Sequence, residues 1–361
     1  MRGEEVRTRR HDLIPARRTE MGIMQKEITI TDVAKRAGVV VSTVSRVINN
    51  KDKVSPKTRE AVMRAIEELG YVRNNIAASM KTGHTSFIVV VVPDIKNEFY
   101  TAVIRGVETE ACKHGYYTIV YTAEENNVDP NLFAERFGHV VDGVIFVPSM
   151  AGEPLRKSMN KPIVIIDRKK DDEDIYSVVV DNYKGACQMM EELIRHGHER
   201  IGFIYGDSEY TVATDRLRGY LDTLKKYRIP IREAYICKGD WQEATGVRFT
   251  REMLALPEPP TAIFAANNQI CLGSAQYLMD MGIRIGKEIS LVEFDDALIA
   301  RYLGPGITSI AHPTAELGRR GARMLIALME DREADIEEKN VVMGVELIRR
   351  NSIATLCKNG A

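Results

Sequence analysis

The sequence predicts a mixed α/β chain, with a small all-α helix-turn-helix headpiece ahead of a two-lobed core of doubly wound parallel sheets. Three observations predict it. Two short apolar-periodic helices meet at a glycine between residues 28 and 49, and a third helix follows. From Phe87 onward, continuous apolar runs alternate with helical stretches. At Tyr183 that alternation begins again.

The headpiece comes first. Thr29 can cap a helix, Asp32 sits in its first turn, and Val33, Ala34 and Ala37 fall on one apolar face. Gly38 supplies the left-handed residue that ends it. A second helix is expected from about Val41 to Ile48, with Val44, Val47 and Ile48 on one side. Ser42, Thr43, Ser45, Arg46 and Asn49 occupy the rest. Small polar residues and an arginine on the outer face of the second helix suit a helix-turn-helix that enters a major groove, although an ordinary helical hairpin shares the bare pattern. Ser55 as cap and Pro56 at the first helical position start a third helix, with Ala61, Val62, Ala65, Ile66 and Leu69 apolar and Gly70 as its stop. Residues 1–26 show no sustained apolar period and are expected to be a disordered tail or an extension from a misassigned start. The stretch from Tyr71 to Gly83 is too short for a stable isolated helix and reads as a linker that orders only with partners.

Phe87–Pro93 is a continuous apolar run, the mark of a strand buried on both faces. A helix over Phe99–His114, a strand over 116–122, a helix near 131–139 and strands over 141–148, 162–167 and 177–181 follow. Repeated β-α-β of this kind builds a parallel sheet covered on both sides. The second series runs helix to His196, strand 200–206, helix 212–227, strand 234–240, helix 243–255, strand 261–267, helix 268–281 and strand 289–295. Ala315–Met329 is one more helix and 341–350 a closing strand. Two such units imply two lobes, with a ligand cleft facing the carboxyl ends of the strands.

Charge is unevenly placed. Residues 24–85 hold 11 Lys or Arg against 6 Asp or Glu, a net of +5, on a chain whose total is −1. A basic headpiece on an acidic body suits a module that meets phosphates. The five cysteines (Cys112, Cys187, Cys237, Cys271, Cys357) form no CxxC pair and are expected as free, mostly buried thiols in a reducing cytosol. No run approaches the roughly 18 apolar residues of a membrane span, and no apolar signal core opens the chain, so a cytoplasmic location is expected.

The stretches TDVAKRAGV, STVSRVIN, VSPKTREAV, EELGY, VVPDIKNEFY, RGVE, VDG, IDR, VVVDN, HERIGFI, DRLRGY, AIFAANN, FDD and ELGRR together resemble the lactose-repressor/galactose-repressor (LacI/GalR) family of bacterial transcription regulators, over nearly the whole chain from Ile28. The resemblance implies a homodimer or tetramer that binds double-stranded operator DNA. It also implies a hinge helix that orders on the operator, and a core resembling periplasmic sugar-binding proteins. The implied domains are a reader at 27–72, a hinge at 73–85 and a core at 86–361, with a first lobe of about 86–183 and 312–338 and a second of about 184–311 and 339–361.

By the same resemblance Val41, Ser42 and Arg46 lie where the family reads bases, and Thr29, Thr43, Ser45, Asn49, Ser55, Thr58 and Asn74 lie near phosphates. Met80 stands at the hinge position where the family usually has a leucine that wedges into the minor groove. Val40 replaces the serine that usually caps the recognition helix, and Arg73 replaces a usual proline. In the cleft, Phe99 and Tyr100 match an aromatic pair at the mouth. Asp167, Arg216, Asn267 and Asp295 match polar ligand contacts. Trp241 matches a ring laid against the ligand, and His312 is a further candidate. Glu293 stands where glycine is common, and Asn268 where the family often has an aspartate.

Enzymatic and metal chemistry find little support. Asp295 and Asp296, as neighbours on a strand, point to opposite faces. His196-Gly-His198 lacks further ligand-spaced Cys or His. The glycines of Gly202–Gly206 complete no nucleotide fingerprint. No cofactor or metal is expected, and the chain is expected not to be an enzyme. The expected function is a repressor of sugar-utilisation genes whose operator affinity is set by a small sugar effector. The alternatives are a regulator answering to a nucleobase or a phosphoprotein corepressor and, more distantly, a sugar-binding receptor or a cytosolic α/β enzyme.

Overall fold

The computed structural model describes residues 28–48, 54–71, 84–123, 129–147, 152–169, 174–206 and 210–356. The expectations for Asn49, Asn74, Met80, Arg73 and residues 1–26 lie outside them. The chain divides into two compact units, Met1–Ala78 and Ser79–Ala361.

In the first unit, α1 (Ile30–Ala37), α2 (Val41–Ile48) and α3 (Pro56–Leu69) enclose Val33, Ala34, Val44, Val47, Val62 and Ala65. The apolar periodicity thus selects the faces that are buried. Both helix stops are left-handed glycines, Gly38 at φ 68° and Gly70 at φ 62°. A residue with a Cβ meets a steric cost at such angles, so glycine is the natural stop.

The second unit contains two six-stranded sheets of matching order. The first comprises β1 (Phe87–Val92), β2 (Tyr117–Thr122), β3 (Gly143–Phe146), β4 (Ile163–Ile166), β5 (Tyr176–Val180) and β11 (Asn340–Met343), in the order β11-β5-β4-β3-β1-β2. The second comprises β6 (Ile201–Gly206), β7 (Ile236–Gly239), β8 (Ala262–Ala265), β9 (Ser290–Phe294), β10 (Thr308–Ala311) and β12 (Glu346–Ile348), in the order β12-β10-β9-β8-β6-β7. The described pairings are parallel except β10 with β12. Successive residues of β1 serve two cores: Ile88, Val90 and Val92 face one, Val89 and Val91 the other. That is why its sequence is unbroken apolar.

Helices α4 (Glu98–Lys113), α5 (Pro130–Phe137) and α6 (Gly152–Met159) belong to the first series, and α7 (Asn182–Arg195), α8 (Thr211–Lys226), α9 (Glu243–Leu254) and α10 (Asn268–Asp280) to the second. The last, α11 (Thr314–Met329), returns to pack on α4 and the first sheet.

Three expectations need correction. Helix α6 and strand β10 were not foreseen. Helix α6 is polar (GEPLRKSM), and β10 (TSIA) has one large apolar residue. The closing segment is not one strand of the second lobe. It divides at Gly344 and Val345, so Asn340–Met343 joins the first sheet and Glu346–Ile348 the second. The cysteines are not mostly buried: of the four described, Cys271 alone is buried, Cys187 and Cys237 are half-buried and Cys112 is exposed, and all four are free thiols.

Candidate functional site

The candidate reading surface is built on α2. Val44 and Val47 are buried on its inner side, which turns Val41, Ser42 and Arg46 outward to solvent, while Thr43 and Ser45 are half-buried. The carbonyl of Val40 accepts from the N–H groups of Thr43 (2.9 Å) and Val44 (3.3 Å). Val40 has no side-chain acceptor to cap the helix and is 66% exposed. Thr29 is tied down by Asp32, whose carboxylate accepts from the Thr29 N–H at 3.0 Å and its hydroxyl at 2.7 Å. Ser55 and Thr58 are brought together at the start of α3: the Ser55 Oγ accepts from the Thr58 N–H at 3.2 Å, and the two hydroxyls lie 2.8 Å apart. At the entrance to the second unit, the Asp142 carboxylate accepts from the N–H groups of Thr85 (2.9 Å) and Ser86 (2.8 Å).

The cleft lies at the carboxyl ends of the strands of both sheets. Asp167 follows β4 and Asp295 follows β9, the same place in each sheet order. Both hold left-handed backbones, φ 72° and 75°. Both N–H groups donate to the adjoining strand, Asp167 to the Val178 carbonyl at 2.9 Å and Asp295 to the Ile310 carbonyl at 3.0 Å. The fold thus presents two carboxyl groups at matching positions. Non-glycine residues in this region of φ are uncommon, and they are worth inspecting as candidate functional positions.

Arg216 is the largest fully buried side chain. Its Nε donates to Asn182 Oδ1 at 2.9 Å, one terminal nitrogen donates to the Ala266 carbonyl, and the other to Asp295 Oδ1 at 3.5 Å. The guanidinium lies 3.6 Å above the Phe294 ring. Asp295 Oδ1 also pairs with His312 Nε2 at 2.9 Å. Burial works to raise the Asp295 carboxyl, but Arg216 and the His312 hydrogen bond outweigh it and hold it below the ordinary carboxylate value. At Asp167 burial wins over the neighbouring Arg168 and Arg216, and the carboxyl is pushed up. The surroundings of the two acids therefore shift them in opposite directions.

The aromatic wall is as specific. Trp241 is 4% exposed and packs on Gly206, where an added Cβ would sit 2.3 Å from the indole. Its carbonyl accepts from Asn267 Nδ2 at 3.1 Å, while Asn267 Oδ1 caps α10 by accepting from the Ile270 N–H at 2.9 Å. Phe99 and Tyr100 meet edge to face at 5.2 Å. Arg168 lies 5.3 Å over Trp241 and donates to the Tyr100 hydroxyl at 3.3 Å.

Phe99, Tyr100, Asp167, Arg216, Trp241, Asn267 and Asp295 all line one cavity. His312 does not line it and stands behind Asp295, beside a second hollow. Asn97, Arg168 and Val212 complete the lining and were not foreseen. Arg168 was legible as the neighbour of Asp167 in the IDR stretch, and Asn97 as a helix cap; Val212 carried no signal. Asn182, which orients Arg216, was also missed.

The arrangement offers donors and acceptors on both sides of a flat aromatic surface. Asp296 turns away from Asp295, to Arg350 at 2.6 Å. The two aspartates indeed diverge, but because the chain has left the strand at Phe294, not because they alternate along it. Among the described residues no group of three or more His, Cys, Asp or Glu is arranged to hold a metal ion, and no helix is long and apolar enough to cross a membrane.

Comparison with known proteins gives a match for each of the two units. Residues 29–74 match the signature of bacterial regulatory proteins of the lacI family, and residues 190–353 that of a periplasmic binding protein-like domain. The HTH-type transcriptional repressor CytR of Escherichia coli strain K12 is 30% identical over 334 residues, 91% of this chain and 97% of that protein. The lac repressor dimer bound to operator and the anti-inducer ONPF superposes with a TM-score of 0.81 at 26% identity, over 91% of this chain and all of that one. The transcriptional regulator CelR in complex with cellobiose superposes with a TM-score of 0.67 at 31% identity, over 90% and 99%. With an outward-facing reading helix on one unit and a polar, aromatic-walled cleft in the other, the chain is a DNA-binding transcriptional regulator under small-molecule control, not an enzyme, and it belongs to the lacI family.

Proposed function

We propose that this regulator is a repressor whose effector is a sugar, and that it works as a homodimer with one reading helix in each of two successive major grooves of a near-palindromic operator. The observation that carries the sugar assignment is the occurrence of Asp167 and Asp295 at matching strand ends, with Arg216 and Trp241 in the lining of the same cavity. Carboxylates accept from hydroxyls, a guanidinium forks onto adjacent oxygens, and an indole face suits the C–H face of a pyranose. The cellobiose complex of CelR supports the same reading. Val41, Ser42 and Arg46 read bases. Thr29, Thr43, Ser45, Asn49, Ser55, Thr58 and Asn74 contact phosphates, Met80 wedges at the hinge within 73–85, and the protein acts with the chromosome in the cytoplasm.

Effector binding in the cleft shifts the start of the core near Thr85 and so alters operator affinity, a coupling of about 1–3 kcal/mol in typical cases. The test is footprinting on DNA upstream of the protein's own gene across a panel of sugars. One sugar is expected to change protection, and Arg216→Ala to abolish that response while binding the operator as before. Arg46→Ala is expected to weaken operator binding by about 1–3 kcal/mol. A normal sugar response in Arg216→Ala would remove the cleft assignment.

A further inference from the structure

The cavity between the lobes holds about 20 Å³. That is room for roughly one water, whereas small-molecule pockets start near about 300 Å³. The lobes are closed onto each other, and a sugar enters only when they part. The contacts across the mouth therefore govern access. Asn268 Nδ2 donates to Asn97 Oδ1 at 3.0 Å, and Asn97 Nδ2 donates back to Asn268 Oδ1 at 3.5 Å. Asn97 precedes α4 in the first lobe, and Asn268 begins α10 in the second. Nearby, the Glu98 carboxylate accepts from the Leu298 N–H at 2.7 Å. Elsewhere on the cleft, the Lys169 carbonyl accepts from the Thr211 N–H at 2.9 Å.

The donor at 268 makes the shorter of the two bonds. Asn97 Oδ1 also caps α4 by accepting from the Phe99 N–H at 3.0 Å, which fixes the way its amide points. An oxygen therefore faces Asn268, and the partner must bring an N–H. A carboxylate at 268, which the family often has at this position, could still accept from Asn97 Nδ2 but would replace the 3.0 Å donor with an oxygen facing Asn97 Oδ1. An amide donates to one atom of Asn97 and accepts from the other. Asn268 is 5% exposed, and the preceding Asn267 holds the Trp241 carbonyl within the same lobe.

We propose that Asn97 and Asn268 form a latch that holds the lobes shut over the cleft, with Asn268 a positioning residue acting on effector access and retention. The biological meaning rests on the cleft being the effector site. The test uses no effector, so its failure would leave that reading standing. Hydrogen exchange of the full chain is followed at the Leu298 and Thr211 amides, whose acceptors lie in the opposite lobe. Asn268→Asp and Asn268→Ala are each expected to speed exchange there by about tenfold or more, with the sheet amides of β1, β6 and β8 unchanged. Unchanged exchange at Leu298 and Thr211 in both variants overturns the latch. Acceleration in Asn268→Ala but not Asn268→Asp overturns the requirement for a donor. Equal acceleration in the sheets means unfolding rather than lobe opening, and also overturns it.

Discussion

His198 illustrates how a residue's chemistry is decided by what surrounds it. In the sequence it stands two places from His196 and invites a metal reading. In the fold His196 Nδ1 contacts the Glu192 carbonyl at 2.9 Å. His198 is buried, its Nδ1 2.9 Å from the Thr261 hydroxyl and its Nε2 2.9 Å from the Ala354 carbonyl and 2.8 Å from the Ser290 hydroxyl. Burial lowers its pKa from 6.5 to about 4. Between those values the unfolded chain binds the proton and the folded one does not, so folding stability rises with pH across that window. The contribution is whole above about pH 6.5 and is lost as pH falls toward about 4, a change of roughly 3 kcal/mol. Urea denaturation at pH 7 and pH 5 is expected to show a loss of stability that His198→Gln reduces. An identical loss in the variant would assign the effect elsewhere. The same holds for Asp295 and Asp167. Both acids were foreseen as ligand contacts, but their opposite shifts depend on burial and on Arg216 and His312, which no local pattern reveals.

Between elements, the helices of each lobe meet through glycines. An added Cβ on Gly106 would sit 2.0 Å from the Ala315 carbonyl oxygen, and one on Gly318 2.2 Å from that of Val103, where α4 crosses α11. In the other lobe the same device joins α9 to α10: a Cβ added at Gly246 would sit 2.1 Å from the Ile270 carbonyl oxygen, and one at Gly273 1.9 Å from that of Glu243. Backbone cannot yield as a flexible side chain can. Gly273→Ala is therefore expected to cost about 1–3 kcal/mol of second-lobe stability, read as a lowered melting temperature with DNA binding at low temperature retained. A melting temperature equal to the parent's would show that the crossing relaxes freely. Apolar period and caps made α1 to α5 and α7 to α11 readable from the chain. They did not show which helices touch, because glycine in a helix interior signals only a cost until the opposing backbone is in place. Helix α6 and β10 escaped for a related reason: their apolar content is too thin to stand out from loop.

At the scale of the molecule, charge is partitioned: residues 24–85 carry a net of +5 within a chain of −1. Operator binding should therefore be steeply salt-dependent. A drop of about 10³ or more between 50 and 200 mM salt is expected if about six phosphates are neutralised. A flat salt response in filter binding would separate the basic headpiece from affinity. The chain by itself determined the reader's helices and the doubled β-α-β texture, because these rest on local periodicity and caps that persist along the backbone, while most of the cleft's side chains were implied by the resemblance to the LacI/GalR family. Only the tertiary structure decided that Asn340–Met343 and Glu346–Ile348 part to different sheets, that His312 stands behind Asp295, and that Asn97 reaches Asn268 across the cleft. Those facts depend on residues tens to hundreds of positions apart meeting through packing, and sequence spacing does not encode that distance.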